Sequence, residues 1–301
     1  MRIAVASFQG MPLDFTDDDE RLCDELRAAG AEAEIVAWDE PAADWDAYEL
    51  VLIRSTWDYA HRHDEFVAWA DRVGDRLHNP PALVRWNSDK HYVADLGDAG
   101  IPVVETEYYA PGAAAPAIDR EVVVKPTISA GAHSTGRFSR SQAESALALV
   151  DAIQSAGKTA MVQPFNPTVD TFGETAVVMF DGEFSHALRK RAVLRPDEVA
   201  PIRRDGIGAA ETMYDPDLVT AGEASAPEIE TAHAVIAELE RRFGSVPLYA
   251  RVDLLQGDDG TPVLLELEAI EPNFYFHQAP GSAERLARAT VARARPPTSR
   301  S

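Results

Sequence analysis

The chain has 301 residues, of which 46% are hydrophobic and 26% are charged. That length fits two domains or one large α/β domain, and this composition argues against a disordered chain. The 28 basic and 50 acidic residues give a net charge of −22, which repels nucleic acid, and no apolar run is long enough to span a membrane. Cys23 is the single cysteine, which excludes internal disulfides and cysteine-based zinc or iron–sulfur centres. We therefore expect an acidic cytosolic α/β protein that binds neither nucleic acid nor membranes.

The first part of the chain predicts alternating strands and helices. Strands are expected at residues 2–8, 32–38 and 50–54, and helices at 17–29 and 63–76. This alternation is typical of a small parallel sheet covered by helices. The glycine-rich fingerprint of dinucleotide-binding folds is absent after the first strand, which argues against a dinucleotide site.

Past the first sheet, the chain predicts a linker and then a second group of elements. Asn79-Pro80-Pro81 is expected to be the linker, and the next helix is expected to begin within 87–89, to carry Lys90 in its first turn and to end at Gly97 or Gly100. Residues 195–226 are irregular and rich in proline, glycine and charge, which favours a mobile substrate loop. The other predicted elements are strands at 121–126, 160–164, 172–181, 184–190, 248–256 and 262–269, and helices at 141–156, 228–242 and 282–294.

The most informative pattern is a predicted hairpin near the end of the chain. Asp259-Gly260 is a strong signal for a two-residue turn. With these residues as the loop, Asp253 lies opposite Glu266 and Arg251 lies opposite Glu268, and all four side chains share one face. The opposite face is expected to hold Val252, Leu254, Val263, Leu265 and Leu267.

This register brings three carboxylates together around one point. Facing acids repel each other, and one arginine cannot neutralise three of them. A hard divalent cation with oxygen ligands can, and magnesium carrying a nucleotide phosphate is the commonest case. The alternative is a solvated sheet face whose acids point outward.

A second pattern combines a lysine with a loop of small residues. Lys125 ends a valine-rich strand, and the loop 129–136 that follows would let backbone N–H groups approach phosphate oxygens closely. Arg137-Phe138 stands where a P-loop requires Lys-Ser/Thr, so a plain hairpin loop is the alternative. Lysine is scarce beside 24 arginines, which makes each lysine a candidate for a point-charge role. The four are Lys90, Lys125, Lys158 and Lys190.

The order of motifs over most of the chain resembles the ATP-grasp ligases. The motif Arg251-x-Asp253 followed by Glu266-x-Glu268 resembles the metal motif of that family, with Glu268 standing where asparagine is usual. This departure keeps an oxygen ligand and adds a negative charge. The other segments that carry the resemblance are Asp89-Lys90 before Gly100-Ile101-Pro102, Val123–Pro126 with its glycine loop, Met161–Phe165, Gly173-Glu174 and Asp181-Gly182.

The resemblance implies an α/β protein with the ATP-grasp fold. It implies an N-terminal βαβ domain over 1–84 and two α+β subdomains that clasp ATP. These are a central domain with a phosphate-covering lid over 85–163 and a C-terminal metal- and ATP-binding domain over 164–301. It further implies ATP and Mg²⁺ as cofactors, with Mn²⁺ as the alternative metal, a small amino-acid-like carboxylate substrate, and a homodimer.

The resemblance also assigns roles to individual residues. Arg251 and Lys125 are the expected catalytic residues, and Asp253, Glu266 and Glu268 the expected metal ligands. Position along the chain adds candidate substrate residues, which are Arg54, Thr56, Arg189 and Asn273. The expected ATP-binding residues are Lys90, Lys125, Ser129, Gly131, His133, Gln163, Pro164, Phe165 and Glu174.

The implied reaction is the activation of a carboxylate by ATP. The carboxylate becomes an acyl phosphate, an amine displaces phosphate, and a closing lid keeps water out. Residues 53–59, 85–90 and 268–273 are most similar to the D-cycloserine-forming cyclo-ligases, which implies ring closure of O-ureido-D-serine to D-cycloserine. The alternatives are an intermolecular carboxylate–amine ligase of the dipeptide-forming or glutathione-synthetase-like kind, a small-molecule kinase, and a non-catalytic ATP-binding protein.

Overall fold

The structure is a computed structural model that describes residues 1–9, 17–194, 215 and 217–294. The described residues form helices and three separate sheets. The helices are α1 (Asp17–Ala28), α2 (His63–Val73), α3 (Pro81–Asn87), α4 (Tyr92–Asp98), α5 (Ala143–Ser155), α6 (Thr168–Phe172), α7 (Ala226–Phe243) and α8 (Ser282–Ala294).

The first sheet has three parallel strands, as the sequence predicts. They are β1 (Arg2–Ser7), β2 (Glu32–Ala37) and β3 (Leu50–Ile53), in the order β2-β1-β3. All four residues of β3 are buried, as expected for a strand covered on both faces. The carboxyl ends of β1 and β3 lie side by side, and the segment after β3 contributes Trp57 and Tyr59 to the cavity described below.

The second sheet has four antiparallel strands, β4 (Glu107–Tyr109), β5 (Val122–Pro126), β6 (Gly136–Phe138) and β7 (Ala160–Pro164). Their order is β4-β7-β5-β6. Helix α5 covers the sheet because it turns one apolar stripe towards it. The stripe is Ala146, Leu149, Val150 and Ile153.

The third sheet has five antiparallel strands in the order β10-β9-β8-β11-β12. Strand β8 is buried along its whole length, with β9 on one side and β11 on the other. Helices α7 and α8 both pack on this sheet. The strands are β8 (Glu174–Phe180), β9 (Glu183–Lys190), β10 (Val219–Gly222), β11 (Tyr249–Gln256) and β12 (Pro262–Glu268).

Part of the predicted substrate loop lies outside the described residues. Residues 195–214 and 216 of the predicted segment 195–226 are not described, whereas β10 and the start of α7 fall within its remainder. The domain boundaries expected after residues 84 and 163 stay a prediction. Within the described ranges, every helix is too short or too polar to cross a membrane.

The single helix predicted around Lys90 is wrong. Helix α3 ends at Asn87 and α4 begins at Tyr92, so Lys90 lies in the turn between two short helices. Proline at the first position of α3 starts that helix earlier than the polar cap signal suggests. The backbone N–H of Lys90 donates to Thr127 O at 2.9 Å, which ties this turn to the segment after β5.

The predicted linker at Asn79-Pro80-Pro81 is instead a buried anchor. Asn79 is 1% exposed, and its side-chain NH₂ donates to Tyr249 O at 2.8 Å and to Ala269 O at 2.7 Å. Its side-chain oxygen accepts from the N–H of Leu248 at 2.7 Å. The local composition resembles a linker because proline and asparagine are common in loops, and it carries no sign of these distant partners.

Arg54 is a second anchor, and the structure does not bring it to the cavity where it was expected to meet substrate. It is 2% exposed, its Nη1 donates to Pro272 O at 2.6 Å, and its guanidinium lies 4.1 Å from the centre of the Phe274 ring. Its Nε is 3.6 Å from the carboxylate of Asp19. Thr56, the other candidate at this strand end, is fully buried and also lies outside the cavity lining. Arg54 therefore fixes the segment after β12 rather than facing the cavity.

We predict that Asn79→Ala destabilises the protein strongly. The substitution leaves three buried backbone groups without a partner, and each costs about 1–3 kcal/mol, so the unfolding free energy should fall by at least about 3 kcal/mol. Urea denaturation measures this change. Asn166→Ala is the control and should cost less, because Asn166 is partly exposed and water can replace its hydrogen bonds. Equal losses in the two variants would contradict the anchoring role.

We predict that Asp19 makes stability depend on pH. Burial raises the pKa of Asp19 from 3.8 to about 6, although Arg54 opposes the change. When the pH lies between these two pKa values, Asp19 is protonated in the folded state and ionised in the unfolded state. The contribution of Asp19 to the unfolding free energy therefore falls as pH rises. The shift corresponds to about 3 kcal/mol over the whole window.

The Asp19→Asn variant isolates this effect. From about pH 3 to about pH 7, the unfolding free energy of the wild type should fall by about 3 kcal/mol relative to that of Asp19→Asn. Urea denaturation at several pH values measures this difference. Asp24→Asn, on the exposed side of the same helix, is the control and should follow the wild type. Parallel curves for Asp19→Asn and the wild type would refute the prediction.

Candidate active site

A cavity of about 380 Å³ opens where segments from all three sheets meet. Most of the predicted site residues line it, and the structure thereby brings together side chains from distant parts of the chain. The predicted residues in its lining are Lys90, Lys125, Ser129, Gly131, His133, Gln163, Pro164, Phe165, Glu174, Arg251, Glu266, Glu268 and Asn273.

The predicted register of the C-terminal hairpin is confirmed at its functional end. Asp253 pairs with Glu266 and Arg251 pairs with Glu268. The turn is longer than predicted, because the N–H of Gly257 donates to Thr261 O and leaves three residues in the loop. A β-bulge between Asp253 and Leu254 absorbs this difference, so the expected pairs still form.

The same bulge makes the prediction for Leu265 wrong. Leu254 pairs with Leu264, which is fully buried, and Leu265 becomes the extra residue of β12. Leu265 lies in the cavity lining instead of the opposite apolar face. The side chains beyond a bulge change face because the two-residue alternation is interrupted there.

Asp253 is the most deeply buried acid of the hairpin, at 1% exposure. Arg251 donates to both of its oxygens, at 2.8 and 2.9 Å, and Lys190 Nζ lies 2.7 Å away. Burial acts to raise the pKa of Asp253, but these two cations outweigh burial and hold the pKa below its usual value. Asp253 is thus ionised and enclosed, and it does not itself line the cavity.

Lys190 joins this centre, whereas Arg189 was the residue expected to face substrate. Lys190 Nζ is 2.8 Å from Glu174, its partner across β8 and β9. Burial lowers the pKa of Lys190, but Asp253 and Glu174 outweigh that effect and raise it. Arg189 points the other way, where it donates to Thr175 Oγ1 at 2.5 Å.

A second β-bulge determines which of these two neighbours lies opposite Glu174. The turn at Asp181-Gly182 would pair Glu174 with Arg189 if the hairpin were regular. The register shifts between Val178 and Met179, and Lys190 replaces Arg189 opposite Glu174. The scarcity of lysine was the signal in the sequence that could have favoured Lys190.

Glu266 receives its cations from the second sheet and the turn before it. Lys90 Nζ lies 3.2 Å from one oxygen of Glu266, and Lys125 Nζ lies 3.9 Å from the other. Burial acts to raise the pKa of Glu266, and the two lysines reverse this and lower it. Lys90 also donates to Ser129 O at 2.7 Å, which connects the glycine loop to the acidic face.

Each carboxylate at this centre has a cation partner without a bound metal, whereas the hairpin alone supplies a single arginine for three acids. Four carboxylates meet four cations, because three of the chain's four lysines join Arg251 here. A local strand pattern cannot show these partners, since they come from remote segments. The carboxylates belong to Glu174, Asp253, Glu266 and Glu268, and the lysines are Lys90, Lys125 and Lys190.

The donor chemistry nevertheless fits a hard cation such as Mg²⁺. Glu266 and Glu268 are partly exposed and line the cavity, so their oxygens can accept a ligand there. Glu268 is held by Arg251, yet burial and the neighbouring carboxylates raise its pKa to about 8. A further positive charge would therefore be stabilised beside it. Across the described ranges, no group of three His, Cys, Asp or Glu side chains forms a ready-made metal site.

The other end of the cavity is suited to a planar, apolar ligand. Phe165 follows the end of β7, and the guanidinium of Arg137 lies 3.4 Å from the centre of its ring. Arg137 is itself fixed by a bidentate pair with Asp170 at 2.8 Å and by Glu121 at 2.7 Å. Arg137 stands in the sequence where a P-loop would have lysine, and in the structure it packs on Phe165, which lines this pocket.

Tyr59 and Glu271 are two of the cavity residues that were not among the predicted site residues. They are joined by a hydrogen bond between the phenol and the carboxylate. Both lie inside segments that carried the resemblance, but no periodic pattern distinguishes them from their neighbours. Their burial and their contact are visible only in three dimensions.

Comparisons with known proteins agree with the predicted family. The family described as the N-terminal domain of the D-cycloserine synthetase DcsG matches residues 3–79. The cycloserine biosynthesis protein DcsG of Streptomyces lavendulae is 36% identical over 300 residues, which cover 95% of this chain and 96% of that protein.

Solved structures confirm the predicted fold. A crystal structure of D-cycloserine synthetase DcsG matches with a TM-score of 0.87 and 33% identity, covering 98% of this chain and 100% of that one. The D-alanine–D-alanine ligase of Bacillus anthracis, complexed with ATP, matches with a TM-score of 0.67 and 14% identity over 98% of this chain and 97% of that one. An ATP-grasp RimK domain protein of Sphaerobacter thermophilus has a TM-score of 0.63 and 18% identity, over 96% of this chain and 98% of that one.

Proposed function

The chain belongs to the family of the D-cycloserine synthetase DcsG, an ATP-grasp ligase family, and we propose that it closes the ring of O-ureido-D-serine to form D-cycloserine. Family membership rests on 36% identity over almost the whole chain. The observation that carries the proposal is the cavity in which the buried Lys90 and Lys125, the partly exposed Lys190 and Arg251 meet a row of carboxylates. Such a row of cations is suited to a triphosphate and to a carboxylate that accepts a phosphoryl group.

The two ends of the cavity support separate roles. We propose that the adenine ring lies beside Phe165 and Gln163, and that Lys90 and Lys125 contact the phosphates under the loop that contains Ser129, Gly131 and His133. Glu174 lines the same cavity and holds Lys190 in place. Arg251 then faces the developing acyl phosphate and the oxyanion that forms when it collapses.

The reaction proceeds in three steps. The substrate carboxylate attacks the γ-phosphorus of ATP, so that an acyl phosphate forms and ADP leaves. The nitrogen bonded to the substrate's oxygen then attacks the acyl carbon, the ring C–N bond forms, the nitrogen loses its proton, and phosphate departs. One water molecule then cleaves the bond between the ring nitrogen and the carbamoyl group, the ring nitrogen keeps the proton, and the carbamic acid released breaks down to CO₂ and ammonia, which leaves D-cycloserine. Water must be excluded until the ring closes, because the acyl phosphate would otherwise be hydrolysed.

A divalent metal ion, which we propose to be Mg²⁺, would offset the charge on the transferred phosphoryl group. Glu266 and Glu268 would hold it, since their carboxylates reach the cavity. Asp253 supports that site by fixing Arg251 and Lys190. Mn²⁺ as an alternative metal, and the homodimer, stay predictions of the resemblance.

The reaction is tested by phosphate release and by the mass of the product. We expect ATP- and metal-dependent phosphate release with O-ureido-D-serine, and a product that has lost both water and the carbamoyl group. Parallel reactions with Mg²⁺ or Mn²⁺, with the L-enantiomer, and with a panel of D- and L-amino acids give the specificity.

Other outcomes would replace the proposal. A product that joins two amino acids would identify an intermolecular ligase, and a stable phosphorylated product would identify a kinase. Loss of water alone would indicate cyclisation without fragmentation. Tight ATP binding with no phosphate release over the whole panel would identify a non-catalytic binding protein.

We predict that Lys125→Ala lowers kcat/KM for phosphate release by at least about 100-fold, because a buried cation aimed at the transferred charge contributes that much in comparable sites. Lys158→Ala is the matched control, since Lys158 lies outside the cavity lining and has no carboxylate partner among the described residues. It should change the rate by less than about threefold. Steady-state kinetics and a melting curve for each variant make the comparison. Equal activity of Lys125→Ala and the wild type would refute the assignment of Lys125.

A further inference from the structure

The paired side chains of Tyr59 and Glu271 have no part in the chemistry described so far. Tyr59 belongs to a 3₁₀ turn, Trp57–His61, that follows β3, and Glu271 lies in the segment after β12. Both line the cavity. Tyr59 is 3% exposed and its hydroxyl bonds to the carboxylate of Glu271, whereas Glu271 is partly exposed.

The segment that carries Glu271 is fixed on both sides. Backbone groups from residue 269 to residue 273 are bound by side chains from other parts of the chain, so the carboxylate is held at a defined place in the cavity wall. Such support is what a recognition site needs, because a mobile carboxylate would lose conformational entropy on binding. The side chains are Asn79 and Asn87 on Ala269, Tyr249 on Ile270, Trp57 on Glu271, Arg54 on Pro272 and Arg251 on Asn273.

Glu271 differs from the other carboxylates of the cavity in its charge partners. Glu174, Glu266 and Glu268 each have a lysine or arginine nitrogen within 4.0 Å. In the part of the chain that the structure describes, no lysine or arginine lies that close to Glu271. The Tyr59 hydroxyl and the backbone N–H of Glu271 itself fill two of its acceptor positions, and a carboxylate has about four. Glu271 therefore retains acceptor positions in a cavity where an unpaired charge is costly.

We propose that Glu271, positioned by Tyr59, binds the α-ammonium group of an amino-acid substrate. This inference rests on the proposed function and names the group that selects an amino acid over a simple carboxylic acid. An ammonium group supplies both the positive charge and the N–H donors that the carboxylate lacks.

The surroundings of Glu271 favour the α-ammonium group over an amine further along the substrate. Burial raises the pKa of Glu271 to about 7, and the charges that act on it are Lys90 and Glu266. These residues lie 3.2 Å from each other at the centre proposed for phosphoryl transfer. Glu271 is thus a neighbour of the carboxylate that becomes activated, and the α-ammonium group is one carbon away from that carboxylate.

The test compares the amino-acid substrate with an analogue in which hydrogen replaces the α-ammonium group. Glu271→Gln keeps the shape of the side chain and removes its charge. We expect the variant to raise KM for O-ureido-D-serine about 10- to 100-fold, because that is the effect of losing one hydrogen bond between charged groups. KM for ATP should stay unchanged. The wild-type preference for the substrate over the analogue should fall by a similar factor.

Two more variants separate recognition from structural support. Tyr59→Phe removes the hydroxyl and keeps the ring, and we expect a smaller loss of the same preference, about 3- to 10-fold. Glu144→Gln changes an exposed glutamate on α5 and should leave both kinetic constants as in the wild type. Melting curves show whether each variant is folded.

The outcomes distinguish this inference from the proposed function. If Glu271→Gln lowers kcat/KM equally for the substrate and for the analogue, the ammonium site is refuted. It is also refuted if the variant alters only the metal concentration needed for activity. If the wild type releases no phosphate with any amino acid, the proposed function fails. In that case, calorimetry measures the binding of the substrate and of the analogue to the ADP-loaded wild type and to Glu271→Gln. If Glu271→Gln loses binding of the substrate but not of the analogue, the ammonium site is supported. If the variant binds both as the wild type does, the site is refuted.

Discussion

The structure depends on one constraint, which is that a charge as completely enclosed as that of Asp253 must have a partner. Asp253 is almost completely enclosed, and ionisation there is possible only because Arg251 and Lys190 both contact it. Lys190 in turn reaches Glu174 on the neighbouring strand. These pairs join three adjacent strands through side chains in addition to their backbone ladders. The sheet and the chemistry are therefore supported by the same ion pairs.

Much of this centre could be predicted from the sequence, because the register of a hairpin depends on its turn residues, which lie close to the paired residues in the chain. Asp259-Gly260 marks a turn, and counting back from it correctly pairs Asp253 with Glu266. The count succeeded because a longer turn and a β-bulge compensated for each other. Where no compensation occurred, in the hairpin of β8 and β9, the same kind of count leads to Arg189 instead of Lys190. A bulge depends on packing against other elements, so local residue patterns do not reveal it.

The parts that the sequence did not predict are the contacts between remote segments. Asn79 looks like part of a linker and Arg54 like a residue that meets substrate, because the residues around each of them show only local preferences. In the structure, both bind the backbone after β12 and so determine where Glu271 and Asn273 lie. Residues that position a site by long-range hydrogen bonds carry no periodic signal, and they become visible only when their partners are known.

The cations of the centre differ in how firmly the neighbouring carboxylates hold them. Lys190 has two close carboxylates that raise its pKa, and Arg251 is fixed by Asp253 and Glu268. Lys125 has only a distant contact of 3.9 Å with Glu266, and burial lowers its pKa. A cation with few partners gains most when an anionic ligand arrives, because the ligand replaces missing interactions instead of breaking existing ones. We therefore propose that Lys125 is the cation that responds most to a phosphate, while Lys190 keeps the surrounding strands in register and the two carboxylates hold Arg251 in place at the cavity.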